Sequence, residues 1–207
     1  MEFKEIDQNN LIYIFNQNQL KKSDFKNLII VKDKSQVPSI DNCVIMNYQD
    51  DFESLLNFSL PTKMRKTKQL LSLSECQEIM AKINYGVLSF SYQDLPYSVG
   101  LNHIIYDGRI FFHCAKSGFK LNSINQRSTF LIVEDLGINL EVGTHNHNSV
   151  AIYGTIRQVT DTATKKAALL QIVADLAPKH PYNDKMLEFT NILELDVDYI
   201  IGKSHIR

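Results

Sequence analysis

Pro96-Tyr97-Ser98-Val99-Gly100-Leu101-Asn102-His103-Ile104-Ile105-Tyr106-Asp107-Gly108-Arg109-Ile110-Phe111-Phe112-His113-Cys114-Ala115-Lys116-Ser117-Gly118-Phe119-Lys120 reads as a β-hairpin running into the first turns of a helix. Two β-rich runs flank Asp107-Gly108, a dipeptide that accepts the positive φ angles of a tight type I′ turn. Side chains alternate along the first run, so Ser98, Gly100 and Asn102 share one face and Val99, Leu101 and His103 the other. A glycine in mid-strand is costly unless something approaches its backbone closely, or unless the strand bulges or turns a barrel corner at Gly100. In the second run His113 and Cys114 take opposite faces. That run stops at Ser117-Gly118, and Phe119 to Ile124 begins the helix. Lys116 and Lys120 then flank its positive end, where the macrodipole disfavours each cation by about 0.3–1 kcal/mol. Backbone N–H groups, the Ser117 hydroxyl and the two lysines together suit an anion such as a phosphate. The plainer alternative is that both lysines point into water.

Working outward, Gly86 to Tyr92 is a strand and Gln93-Asp94-Leu95-Pro96 a turn leading into the hairpin. Thr129 to Glu134 and Val150 to Ile156 are two more strands. Ile192 to Ile200 alternates apolar and charged residues, as a half-exposed strand does. Ser74-x-x-Gln77 reads as a capping box for a helix whose apolar positions are Cys76, Ile79, Met80 and Ile83. Asp161 caps a second helix running to about Ala177, with Leu169, Ile172, Val173 and Leu176 on its apolar face. About six antiparallel strands with two or three helices predict a mainly β fold, a Greek-key barrel with helices at its margins. The first sixty residues differ: they are rich in Asn, Gln and Asp and contain no glycine. Leu28 to Val31 and Cys43 to Met46 are expected as short buried strands there, and Asp50 to Phe58 as a short helix. Residues 1–61 are therefore read as a small appendage and 62–207 as the main domain.

Composition narrows the function. The chain has 207 residues, 44% of them apolar, and a net charge of -1, so it carries no basic excess to suggest nucleic acid. Cys43, Cys76 and Cys114 are far apart and in no metal or disulfide spacing, which fits free thiols in a reducing compartment. The acidic N-terminus does not resemble a secretory signal, and no apolar run approaches the roughly 18 residues of a membrane span, so a cytoplasmic protein is expected. There is no G-x-G-x-x-G after a strand and no Walker-type loop. His145-x-His147 would project two imidazoles together on a strand, but Thr144 to Asn148 looks like a polar loop and no third ligand stands nearby. No metal site is expected.

The order of motifs resembles a known family. His113-Cys114-Ala115-x-x-Gly118-x-Lys120, preceded by Pro96-x-x-x-Gly100-Leu101-Asn102 and Asp107-Gly108-x-Ile110-Phe111-Phe112, is similar to the flavin-binding split barrels related to pyridoxamine 5'-phosphate oxidase. The Nim-type (nitroimidazole-resistance) branch looks closest. Met64-Arg65, Ser149-Val150-x-x-x-Gly154 and Ile201-Gly202-Lys203 follow the same pattern, so the resemblance covers roughly residues 62 to 207. It implies a six-stranded antiparallel split barrel holding FMN. The ring would lie along Val99, Gly100, Leu101 and Asn102, with the Asn102 amide at its pyrimidine edge. His113 and Cys114 would lie near the ribityl phosphate and ring, and Lys116, Ser117 and Lys120 would hold the phosphate. His113 is the catalytic candidate, reaching a bound substrate with an imidazole able to move a proton near pH 7; a satisfied structural histidine is the alternative. Cys114 also reads as a small packing residue. Pyridoxamine 5'-phosphate oxidases present an Arg-Lys pair where this chain has Phe119-Lys120, which argues against a second phosphate site. The resemblance further implies a homodimer with the flavin between subunits, Val150 to Val159 offering the contact, and a small electron-poor substrate such as a nitroaromatic. A non-enzymatic flavin- or haem-binding barrel is the rival reading.

Overall fold

The computed structural model describes residues 11–16, 27–31, 34–38, 43–47 and 69–207. The chain divides into two compact units, one of Met1–Met80, Val133–Val150 and Asp198–Arg207, the other of Ala81–Ile132 and Ala151–Val197. Strands β1 (Leu11–Asn16), β2 (Asn27–Val31) and β3 (Cys43–Asn47) form a three-stranded sheet in that order. β1 runs antiparallel to β2, and β2 parallel to β3 with Ile29 opposite Ile45. Ile29 and Val31 are fully buried, as their apolar run required. The helix expected at Asp50 to Phe58 and the boundary at residue 61 lie outside the described residues.

The larger sheet contains β4 (Leu70–Leu71), β5 (Tyr85–Tyr92), β6 (Leu95–Asn102), β7 (Ile104–Tyr106), β8 (Arg109–Ala115), β9 (Arg127–Asn139), β10 (Thr144–Gln158) and β11 (Thr190–His205). Its order is β6-β5-β9-β10-β11-β8-β7, with β4 paired to β11. The sheet thus has eight strands rather than the expected six, and its ladder does not close into a barrel. Two local events account for the difference. Leu70-Leu71 pairs with Gly202 and Lys203, a contact too short to show as periodicity. The first hairpin run breaks at His103, which is 2% exposed and donates its backbone N–H to the Asn84 carbonyl at 3.0 Å. β6 therefore pairs with β5, and β7 with β8.

β6 and β7 form opposite edges of the sheet yet are separated by His103 alone. A flat sheet of seven strands would hold its edges roughly 29 Å apart, six spacings of about 4.8 Å. One residue spans only about 7 Å between its neighbours, so the sheet must roll until its edges meet at His103. Inside the roll, Leu88, Phe112, Phe130, Ile132, Ile152 and Ile156 are fully buried, and Phe112 meets Phe130 edge-on at 4.9 Å. Gly154 is fixed by close approach, since a Cβ there would run into the Asp196 carbonyl.

Helices α1 (Leu73–Lys82), α2 (Thr162–Leu176) and α3 (Lys185–Phe189) flank the sheet. The capping box of α1 lies two residues before the expected one. Ser72 donates its N–H to Glu75 Oε2 at 2.6 Å, and Glu75 donates its N–H to Ser72 Oγ at 3.3 Å. Asp161 does cap α2, accepting from the Thr164 N–H at 2.7 Å. Ala168, Leu169 and Ile172 of α2 pack on Ile104, Phe111 and Ile192, covering part of the outer face of β7, β8 and β11. No helix among the described residues is long and apolar enough to cross a membrane.

Candidate cofactor site

The Asp107-Gly108 turn forms as its residues dictate, with φ of 51° and 69°, and aligns Tyr106 with Arg109. Arg109 closes the outer end of β8 by donating Nε–H to Glu194 Oε1 at 2.7 Å while its guanidinium lies over the Phe111 ring. At the other end of β8, His113 is exposed, whereas Cys114 is 4% exposed and points into the core. Partial desolvation, and secondarily the charge of Lys120, hold the His113 imidazole below its usual value. Burial pushes the Cys114 thiol up, and Lys120 opposes that shift.

Phe119 to Ser123 forms a five-residue 3-10 helix, not the start of an α-helix. It is too short for an aligned macrodipole, so the anion argument rests on the lysines, Ser117 and nearby N–H groups. Gly118 enters it at φ 119°, and the Leu121 N–H returns to the Gly118 carbonyl at 3.1 Å. Lys116 and Ser117 are exposed, and Lys120 is half-buried.

What anchors this turn was missed from sequence, where Phe119 counted only as a lost arginine. Its ring lies 4.9 Å from Tyr97, 6.0 Å from Tyr92 and 6.4 Å from Phe90. Four aromatics from the turn and the β5–β6 hairpin therefore fix the backbone that carries Lys120. An aromatic three residues after Lys116, facing a strand with alternating aromatics, was the available signal.

On β6, Ser98, Gly100 and Asn102 face outward and Val99 and Leu101 are half-buried, as alternation predicts. The register is unbroken from Tyr85↔Asn102 to Tyr92↔Leu95, with Val87 opposite Gly100, so no bulge explains the glycine. A Cβ at Gly100 would meet nothing within 4 Å. The outer face at Gly100 is therefore an open, flat strip of an edge strand, flanked by the Ser98 hydroxyl, 2.9 Å from Ser89 Oγ, and by the Asn102 amide. Asn102 donates one Nδ2–H to the Asn84 carbonyl at 3.4 Å, leaving a second N–H and its carbonyl oxygen for other partners. Such a strip, with polar groups at its margin and a cationic turn in the same unit, fits a planar ring bearing a phosphate.

Residues 72–204 match the family described as pyridoxamine 5'-phosphate oxidase. The chain belongs to that family. Among curated proteins there is no match. Solved structures of low sequence identity share the fold. The flavocytochrome Anf3 from Azotobacter vinelandii is 17% identical with a TM-score of 0.59, and the FAD binding protein from Mycobacterium smegmatis is 17% identical with a TM-score of 0.53. The Anf3 likeness covers 70% of this chain and 73% of that one; the FAD binding protein likeness covers 67% and 98%. A candidate 5-nitroimidazole antibiotic resistance protein from Bacteroides thetaiotaomicron is 16% identical with a TM-score of 0.52, covering 65% of this chain and 86% of that one. In this pyridoxamine 5'-phosphate oxidase family member, the Arg-Lys pair expected of the oxidases themselves is Phe119-Lys120.

Proposed function

We propose that this chain is an FMN-dependent oxidoreductase that reduces a small electron-poor substrate, a nitroaromatic being the best chemical fit. The observation that carries the reading is geometric: Phe119 packs on Tyr97, so the turn bearing Lys116, Ser117 and Lys120 is anchored to β6, whose outer face is open at Gly100. Lys120, with Lys116 and Ser117, would hold the phosphate. Gly100 would let the ring lie on the strand, and Asn102 would meet its pyrimidine edge. When bound, the flavin supplies the electrons; the protein contributes orientation and local electrostatics. Because its pKa is depressed, His113 is neutral near pH 7 and can donate a hydrogen bond or move a proton at the substrate's oxygen.

The working form in this reading is a homodimer. The apolar side chains of β10, Val150, Ile152 and Ile156, are consumed in the core and cannot supply the contact. The outer faces of β5 and β9 offer a better one: Val87 and Leu131 are cross-strand partners at 39% and 38% exposure, with Tyr85 beside them at 63%. A ring on a one-sided strip needs a second surface to leave water, since cofactor sites bury most of their ligand.

Titration of the purified chain with FMN, FAD, riboflavin and haem tests the assignment, read by flavin fluorescence and visible absorbance. FMN should bind with micromolar or better affinity and raise the melting temperature. A Soret band without flavin uptake supports the haem-binding rival, and preference for FAD over FMN shifts the cofactor. Light scattering should give twice the 23.8 kDa chain mass; a monomer with full FMN occupancy contradicts the dimer.

A further inference from the structure

Phe189, the last residue of α3, is 69% exposed, more than any other Phe or Tyr among the described residues. A single exposed apolar side chain is ordinary, but this one is held out on a fixed backbone. Its helix neighbours Met186 and Leu187 pack against the cluster of Ile104, Phe111 and Ile192. Lys165 donates from Nζ to the Leu187 carbonyl at 2.6 Å, and the Thr190 N–H returns to the Met186 carbonyl. The Met186 and Leu187 N–H groups bond the Asn183 and Asp184 carbonyls at 2.8 and 3.1 Å. Both ends of the short helix are therefore tied down, and Phe189 stands where the chain leaves it for β11.

The β8–β11 ladder sets what stands beside Phe189. Thr190 pairs with Ala115 and Ile192 with His113, so Thr190 and His113 are diagonal neighbours, about 7–8 Å apart. Phe189 is one residue, about 3.8 Å, further along. Its backbone thus lies within about 12 Å of that of His113, which is itself exposed. Lys116 leaves the same end of the ladder on the β8 side. All three residues belong to the second unit. One six-membered ring carrying a polar substituent fills the distance between the Phe189 and His113 side chains.

We propose that Phe189 determines substrate specificity by stacking a flat, electron-poor aromatic ring whose nitro or carbonyl oxygen is turned to His113. A phenyl face attracts such a ring in an offset stack, whereas an aliphatic acceptor gains only apolar contact from it. The substrate class selected is therefore nitroaromatics over nitroalkanes. The inference rests on the preceding reading for the reaction, and adds the residue that chooses among acceptors.

Nitrobenzene and 1-nitropropane are titrated into the oxidised chain, with and without FMN, and binding is followed by saturation-transfer NMR of each ligand. Nitrobenzene should bind more tightly than 1-nitropropane. Phe189→Ala should weaken nitrobenzene roughly threefold to tenfold and erase that preference, and Phe189→Tyr should restore it. FMN affinity and melting temperature should not move. Leu170→Ala, at a 44% exposed position of α2, should change neither ligand. Phe189→Leu, with an intermediate loss, serves if the alanine variant unfolds. A flavin-loaded chain whose nitrobenzene affinity ignores Phe189→Ala overturns the proposal and leaves the flavin reading standing. A chain that takes no FMN, yet loses nitrobenzene with Phe189→Ala, keeps the contact and overturns the flavin reading. Absence of nitrobenzene binding in both forms overturns the proposal. So does a halved particle mass in Phe189→Ala, which would make the ring a subunit contact.

Discussion

Gly100 stands opposite Val87 on the β5–β6 ladder, and the place its side chain would occupy is empty of protein within 4 Å. Protein packing therefore does not require glycine there. Gly100→Val should leave the melting temperature unchanged or slightly raised, because valine suits a strand better. On the proposed reading it should weaken FMN at least tenfold, by standing where the ring would lie. Gly154→Ala makes the contrast: its Cβ would strike the Asp196 backbone, so it should destabilise by about 1–3 kcal/mol. A Gly100→Val protein that binds FMN normally removes the ring from this strand.

Lys120→Ala should weaken FMN roughly tenfold to a hundredfold, the equivalent of a charge-assisted contact of about 1.5–3 kcal/mol. Riboflavin, lacking the phosphate, should respond little. Equal losses for both ligands would place the lysine's contribution in the turn's stability. Parallel fluorescence titrations make the comparison.

His113 should titrate below its ordinary value of 6.5, followed by the NMR shift of its ring proton. Desolvation is the larger cause, so Lys120→Ala should raise the value only part of the way. A depressed folded-state value means the fold favours neutral imidazole. The associated stability is present above 6.5 and is lost as pH falls from there through the lowered value.

His113→Ala should retain FMN while lowering turnover of a nitroaromatic by roughly a hundredfold, if the imidazole moves a proton in the transition state. Stopped-flow reoxidation of reduced, flavin-loaded protein reads this directly. Unchanged rates would reduce His113 to a surface residue.

Phe119→Ala should lower stability by about 1–3 kcal/mol, less than a fully buried phenylalanine because this ring is 39% exposed. FMN affinity should fall with it, since the Lys120 turn loses its aromatic anchor. Phe119→Leu should recover part of both. Thermal melts alongside FMN titrations test whether the two losses move together.

Local chemistry was legible in the residues wherever it closes over a few positions. Asp107-Gly108 specified its turn, Asp161 its helix cap, and the alternation of β6 the outward face of Ser98, Gly100 and Asn102. The run of motifs from Pro96 to Lys120 was enough to name the family. Features made by distant pairing were not legible. Two residues, Leu70 and Leu71, carry no period, so only their ladder with Gly202 and Lys203 makes them a strand. His103 reads as one more alternating position until the Asn84 carbonyl takes its N–H and splits the run. Thr144 to Asn148 is polar because it lies near a strand end, and polarity mimics a loop when the neighbouring strand is unknown. Phe119 gains its aromatic partners, and His147 its neighbour His205, only when the chain brings together residues that sequence distance keeps apart. Propensity and turn geometry act over a few bonds; ladder register and side-chain contact are set by the whole sheet.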